Sequence, residues 1–496
     1  MRPVSSYKKF AGQTAVYGLS TIISRLFNFI LTPVYTRVYA TSVYGIFTKM
    51  YSYASIVNTI LALGMETTFF RYLNKHEDKK KEVYNNSFLI IAFASLLFLL
   101  TGLCFSRQLA HFTLNENSMA DLTDQTRYVQ YFIGILFIDA ICVIPFAKLR
   151  ADGKAIKYSV VRFVNIGTFI GFNLFFIFVV PAIIRHHWFL SDWCSSWFRP
   201  GWIGYVFISN LVASLATLLL LLPQFLELRL RFDAQLFKKM FGYSWPVLVA
   251  NLSFIINENL DKILLSKYLP DTIADREIGI YGAVAKIAIF ISIFNTAFRI
   301  GAEPFFFSHA KSANARNTYA TILYYFVLAL VLLFVGLVVN IEILKNFISE
   351  KFWSGLPAVP YLLFGYVCLG IYMNLSIWYR LSDQTRFGLY ISLIGAVFTV
   401  VMNILLIPAY SYMGSAVVSM LAYFIIMVVS YILGRKYYPI PYDLKRICVY
   451  LVVSLALVYV SFYVLHRNLY AGNALLLLFA GAIAFFERKN IVKFLK

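Results

Sequence analysis

The stretch YGIFTKMYSYASIVNTILALGMETTFF, Tyr44 to Phe70, returns 237 residues later as YGAVAKIAIFISIFNTAFRIGAEPFFF, Tyr281 to Phe307, without a gap. Eleven of the 27 positions are identical, among them Tyr44/Tyr281, Lys49/Lys286, Asn58/Asn295, Thr59/Thr296, Gly64/Gly301 and Glu66/Glu303. Shared hydrophobicity accounts for a few matches, but not for a repeated Lys, Asn-Thr and Gly-x-Glu. The segment before each copy agrees too, Leu19–Ile23 with Leu252–Ile256, at an offset of 233.

Working outward, the chain is 60% hydrophobic and 14% charged, with a mean hydropathy of +0.72. A span needs roughly 20 predominantly apolar residues to cross a ~30 Å hydrocarbon core. Such runs lie near 10–34, 43–67, 84–105, 127–147, 158–181, 202–223, 241–268, 279–305, 319–340, 358–379, 388–408, 414–434, 447–465 and 472–487. The predicted fold is an all-α integral membrane protein of about fourteen spans with short loops. Spans 1 and 2 recur as spans 7 and 8. Six spans per repeat is an even number, so both halves insert with one orientation, around a pseudo-two-fold along the membrane normal. The expected division is an N-lobe at 1–230, a C-lobe at 231–440, and two added spans at 441–496. This is the organisation of an alternating-access transporter.

The net charge of +21 is concentrated in alternate loops, at Lys79–Lys81, Lys148–Lys157, Arg229–Lys239, Arg435–Arg446 and Arg488–Lys496. That alternation is the positive-inside pattern and predicts both termini in the cytoplasm. It implies no nucleic-acid partner. Five single cysteines suit neither a disulfide framework nor a zinc site and read as small buried apolar residues. The N-terminus, with Lys8 and Lys9 ahead of an uncleaved apolar run, reads as a retained first span.

Ionisable residues inside spans cost at least ~2.5 kcal/mol on insertion scales, so they face a cavity or a partner. Arg25, Lys49, Asp139, Arg162, Glu258, Asp261, Lys262, Lys286, Arg299 and Glu303 are in this position, most of them on the repeated spans. Glu258/Lys262 and Arg299/Glu303 are four apart and can neutralise each other on one helix face. Arg162 can snorkel. Arg25, Lys49 and Lys286 have no partner within a helical turn. In the repeat alignment Arg25 falls opposite Glu258 and Asn28 opposite Asp261, which suggests that Arg25 pairs with a span-7 carboxylate in one state. A basic cavity within a membrane suits an anionic ligand. The carboxylates Glu258, Asp261, Asp139 and Glu303 suit coupling or gating by H+ or Na+; no other cofactor is expected.

No G-x-x-x-x-G-K-[ST] loop is present, so ATP hydrolysis by this chain is not expected. The six histidines all fall in loops or near span ends, which argues against a membrane acyltransferase. Trp188, Trp193, Trp197 and Trp202 crowd one outer segment, where anchoring at the lipid interface outweighs sugar stacking.

Several motifs together resemble a known family. Ser24-Arg25-Leu26 through Thr32-Pro33-Val34-Tyr35-Thr36-Arg37 resembles its first span, and Leu149-Arg150-Ala151-Asp152-Gly153-Lys154 its basic loop after span 4. Lys238 to Pro246, Asp261-Lys262, Ile280-Tyr281 and Glu303-Pro304-Phe305 are similar to its spans 7 and 8. The family is the polysaccharide or oligosaccharide flippase branch of the multidrug/oligosaccharidyl-lipid/polysaccharide exporter superfamily. The resemblance implies two six-helix lobes around a cationic cavity, and transfer of an undecaprenyl-diphosphate-linked glycan across the bacterial cytoplasmic (inner) membrane. It implies that Arg25, Lys49, Lys262, Lys286 and Arg299 form the diphosphate-binding cavity. It also implies a role in O-antigen, capsule or exopolysaccharide synthesis, as a functional monomer alongside polymerase machinery. A drug/cation antiporter would carry cavity carboxylates without an excess of Lys and Arg. A lipid II flippase is not separated by its spans alone. A glycan polymerase or acyltransferase would need an external domain or intramembrane His.

Overall fold

The structure is a computed structural model that describes residues 23, 26, 29–115, 118, 120–229, 231–310, 312, 314–382, 384 and 386–495, with backbone only at 77, 304, 308 and 489–495. Among the described residues every regular element is helical. The chain divides between Gly279 and Ile280 into two compact units.

The first unit contains α1 (residues 29–38), α2 (Thr41–Ala62), α3 (Met65–Lys75), α4 (Lys80–Cys104), α5 (Ser106–Thr113) and α6 (Leu122–Ala151). It continues with α7 (Ala155–Arg185), α8 (Ser191–Trp197), α9 (Gly204–Leu226), α10 (Ala234–Tyr268) and the first turns of α11 (Asp271–His309). Side-chain caps start two of these helices. The Asp121 carboxylate accepts the Asp124 N–H at 2.6 Å to open α6, and Asp233 accepts from Gln235 and Leu236 at 2.9 and 3.0 Å to open α10.

Helix α4 shows how the sequence suits a bilayer. It turns Asn85, Asn86, Ser87 and Ser95 inward and presents Phe93, Leu96, Leu97, Leu100 and Leu103 outward. Lipid rather than water is the solvent for such a face. Met65 and Phe69 of α3, Tyr84 of α4, Ile144 and Ala147 of α6 and Met240 of α10 fill the core behind it.

The repeat predicts one unbroken span at 43–67, and here the structure differs. Helix α2 stops at Leu63 (φ 52°), Gly64 follows at φ 63°, and α3 starts afresh. A Cβ on Gly64 would lie 2.7 Å from the Ser244 backbone oxygen, so both conformation and space call for glycine. Its counterpart Gly301 has open space around it and lies within the continuous α11. The two copies share residues but not backbone.

The second unit holds the rest of α11, with α12 (Ala315–Val339), α13 (Glu350–Leu381), α14 (Arg386–Tyr437), α15 (Leu444–Val464) and α16 (Leu469–Leu495). Ser411 (φ 51°, ψ −140°) breaks α14 into two arms that match the spans expected at 388–408 and 414–434. Ser415 Oγ donates to Asn403 Oδ1 across that break at 2.8 Å. The added pair α15 and α16 packs on α12. Glu487 of α16 is buried and accepts the hydroxyls of Tyr324 and Tyr450 at 2.5 and 2.9 Å.

Ten helices among the described residues are long and apolar enough to cross a membrane, and α14 supplies two spans. Helices α2 and α10, which carry repeat residues of polar character, are not among those ten. The first expected span lies largely outside the described residues. One expectation needs correction: Cys142, Cys194 and Cys368 are buried, but Cys104 and Cys448 face outward.

Candidate functional site

In the second unit, α11 and α13 border a narrow cleft, with Phe326 of α12 on its wall. Asn295, Arg299 and Glu303 line it from successive turns of α11, the i, i+4 spacing placing them on one face. Asn374 and Arg380 line it from α13. Arg380 is ion-paired with Glu303, so the partner of Glu303 is on a neighbouring helix and not at Arg299, the neighbour expected from spacing. Arg299 and Arg380 are close enough for their charges to act on one another. Among the described residues that line the cleft, Arg299 and Arg380 are the basic groups and Glu303 is the acidic one.

Asn295 completes the wall. Its amide nitrogen donates to the Tyr366 carbonyl at 2.8 Å, while its Oδ1 is buried without a hydrogen-bond partner among the described residues. Gly370 makes room for that oxygen, because a Cβ there would come within 2.3 Å of it. Planar guanidinium forks bind phosphate oxygens bidentately, whereas the Asn295 oxygen, an acceptor, suits a donor such as a hydroxyl. The cleft is narrow as it stands, so a ligand enters it only as its walls part.

The first unit carries a matching pair. Glu66 is the repeat counterpart of Glu303 and is ion-paired with Arg150 at the end of α6. The Arg150 guanidinium also lies 4.9 Å over the Phe70 ring. Neither Arg150 nor Arg380 stands out as an intramembrane candidate in the sequence, because both fall just past the apolar runs assigned as spans 4 and 10. A search for arginines at equivalent span ends would have found them.

Lys49 sits elsewhere. It is 1% exposed and its Nζ lies 2.8 Å from Asp275 Oδ1. Asn115 Nδ2 donates to the same oxygen at 2.8 Å, Ser118 Oγ donates to Oδ2 at 2.7 Å, and Ser266 Oγ donates to Asn115 Oδ1 at 2.9 Å. The helices touch backbone to backbone here. A Cβ on Gly45 would fall 1.7 Å from the Asp275 oxygen, and one on Gly279 would fall 1.9 Å from the Thr41 oxygen. Lys49 is therefore enclosed in an ion pair with a residue 226 positions away, which no local spacing reveals.

The remaining candidates are dispersed. Lys262 Nζ donates to Asp261 Oδ1 at 2.8 Å and to the Glu258 carbonyl at 2.6 Å, so the expected Glu258–Lys262 contact uses the Glu258 backbone. Asp261 is buried and Glu258 half-buried. Asp139 accepts a hydrogen bond from Ser214 Oγ at 2.7 Å. Lys286 is half-buried on α11. Arg25, and with it the expected pairing to a span-7 carboxylate, lies outside the described residues. Arg162 stacks 4.6 Å over Phe146. In the aromatic segment, Trp188 and Trp193 face outward. Trp202 packs edge-on against Tyr205 at 4.9 Å, and Arg199 clamps Asp124 with bonds of 2.7 and 2.5 Å.

Known proteins resemble this chain in sequence or in fold. The chain is 23% identical over 405 residues to an uncharacterized membrane protein, MJ1068, of Methanocaldococcus jannaschii, covering 77% of this chain and 76% of that one. Its fold is similar to that of the lipid II flippase MurJ in an inward closed conformation, with a TM-score of 0.70, 13% identity, and coverage of 96% of this chain and 100% of that one. The MATE multidrug transporter DinF-BH is also similar in fold, with a TM-score of 0.62 and 15% identity over 87% of this chain and 96% of that one. The sequence pattern of one family, described as polysaccharide biosynthesis protein, matches residues 10–308, more than half of the chain. The chain belongs to that polysaccharide biosynthesis protein family, as its motifs led one to expect.

Proposed function

We propose that this protein is a flippase that carries a polyprenyl-diphosphate-linked oligosaccharide from the inner to the outer leaflet of the bacterial cytoplasmic membrane. The cargo is a precursor of a surface polysaccharide, and the termini lie in the cytoplasm. The observation that carries this reading is that Arg299 and Arg380 line one cleft together with Glu303 on helices of membrane-spanning length. Family membership and the fold it shares with a lipid II flippase support it.

Arg299 and Arg380 hold the diphosphate, with Glu303 keeping Arg380 oriented while the cleft is free. Arg25, Lys262 and Lys286, which the family resemblance also assigns to the diphosphate, are the further candidates. The glycan lies beyond the cleft and the polyprenyl chain stays in lipid. Coupling to H+ or Na+ falls to Asp139, Glu258 or Asp261. The test is a strain lacking this protein, in which the lipid-linked glycan accumulates on the inner leaflet. The wild-type chain restores glycan exposure at the cell surface and the Arg299→Ala/Arg380→Ala double variant does not. Restoration of drug efflux instead of glycan export would favour a drug transporter.

A further inference from the structure

Where α12 begins and the chain turns from α14 into α15, a groove of about 1600 Å3 opens in the second unit. Arg316 and Arg435 line it, together with Tyr431, Tyr438 and Tyr442, and no Asp or Glu is among its described lining residues. The Arg316 guanidinium lies 4.7 Å over the Tyr438 ring, which holds it in place without neutralising it. Arg316 also stands in the first turn of α12, at the positive end of the helix dipole, where a cation is disfavoured. The capping residue Asn314 does not offset this: its side chain caps no backbone N–H and accepts from Asn317 Nδ2 at 2.6 Å. Arg316 and Arg435 make no ion pair among the described residues, and the neighbouring Asp443 and Glu487 are engaged by Arg446.

The chain segment that forms the groove carries Arg435, Lys436, Lys445 and Arg446, and the positive-inside pattern assigns such a segment to the cytoplasmic ends of its spans. From the rim an apolar stripe runs down α15 through Leu444, Cys448, Val452, Leu455 and Tyr459, all of them outward-facing. Positions at i, i+4, i+8, i+11 and i+15 share one helix face. We propose that the groove is a binding site for an anionic phospholipid, with the phosphate on Arg316 and Arg435 and an acyl chain along the α15 stripe. Basic pockets between the cytoplasmic ends of spans recognise such headgroups. The stripe favours a lipid over a soluble phosphate, which has no use for an apolar path. This site is separate from the Arg299–Arg380 cleft, and its test does not depend on transport.

The test is native mass spectrometry of the detergent-solubilised full chain with phosphatidylglycerol or phosphatidylcholine at equal concentration. Phosphatidylglycerol should bind in preference, and its binding should fall about fivefold for each arginine removed in Arg316→Gln and Arg435→Gln. The Arg316→Lys/Arg435→Lys variant, with the same charge, should keep most of the preference and also report on folding. Inorganic pyrophosphate should not displace the lipid. Equal binding of the two lipids, unchanged binding in the double Gln variant, or displacement by pyrophosphate would each overturn the proposal.

Discussion

Glu66 and Glu303 occupy the same position of the repeat, 237 residues apart, and each is ion-paired with an arginine at the end of the helix two spans further on. The separations, 84 residues to Arg150 and 77 to Arg380, are nearly equal. A repeated pair of this kind ties span ends together in both units. If the second pair also serves the ligand, charge reversal separates the roles. Glu303→Arg/Arg380→Glu should regain the thermal stability lost in either single variant while leaving glycan transport impaired. Glu66→Arg/Arg150→Glu should regain both. Recovery of transport by the first swap would reduce Arg380 to a structural residue.

Lys49 and Asp275 make a different ion pair, nearly sealed from solvent. Removing one member leaves the other charge buried, which costs about 3–5 kcal/mol. Lys49→Met should therefore lower the thermal midpoint in detergent strongly, and Lys49→Met/Asp275→Leu should recover most of the loss. A Lys49→Met protein as stable as wild type would contradict the enclosed pairing.

The glycines of the repeat are predicted to be unequal. Gly45→Ala forces a methyl group into the Asp275 backbone and should reduce the yield of monodisperse protein in fluorescence-detected size-exclusion chromatography. Gly301→Ala meets nothing within 4 Å and gains helix propensity of about 1 kcal/mol, so it should elute as wild type or better.

Outside the spans, Lys148 hydrogen-bonds Glu227 and holds its carboxyl below its ordinary value of 4.5. A depressed carboxyl contributes stability that is fully present above the unfolded value and lost as pH falls through the folded one. Glu227 is about half exposed, so the effect is modest. Melting curves should show wild type more stable than Glu227→Gln above pH 4.5, with the difference closing as the pH falls further.

The helices were legible because a bilayer demands long apolar runs, and the repeat because Lys, Asn-Thr and Gly-x-Glu do not recur in apolar sequence by accident. Even the two arms of α14 were separable, since Pro408 and the polar turn after it interrupt the apolar run. The break at Leu63–Gly64 was not legible. It depends on the approach of Ser244, 180 residues away, and the same Gly-x-Glu in α11 sits in an unbroken helix. Of the candidate site, Arg299 and Glu303 were found through their burial in a span. Arg380 was hidden one residue beyond an apolar run, and the enclosure of Lys49 depends on Asp275, which lies ahead of the span assigned to α11.

Whether the Arg299–Arg380 cleft carries a lipid-linked diphosphate across the membrane is decided by leaflet translocation of a polyprenyl-diphosphate oligosaccharide in proteoliposomes, read by the access of an external glycosidase or lectin. The wild-type chain should expose the glycan well above protein-free vesicles, and Arg299→Ala/Arg380→Ala should fall to that background while remaining folded. Normal translocation by the double variant would contradict the account.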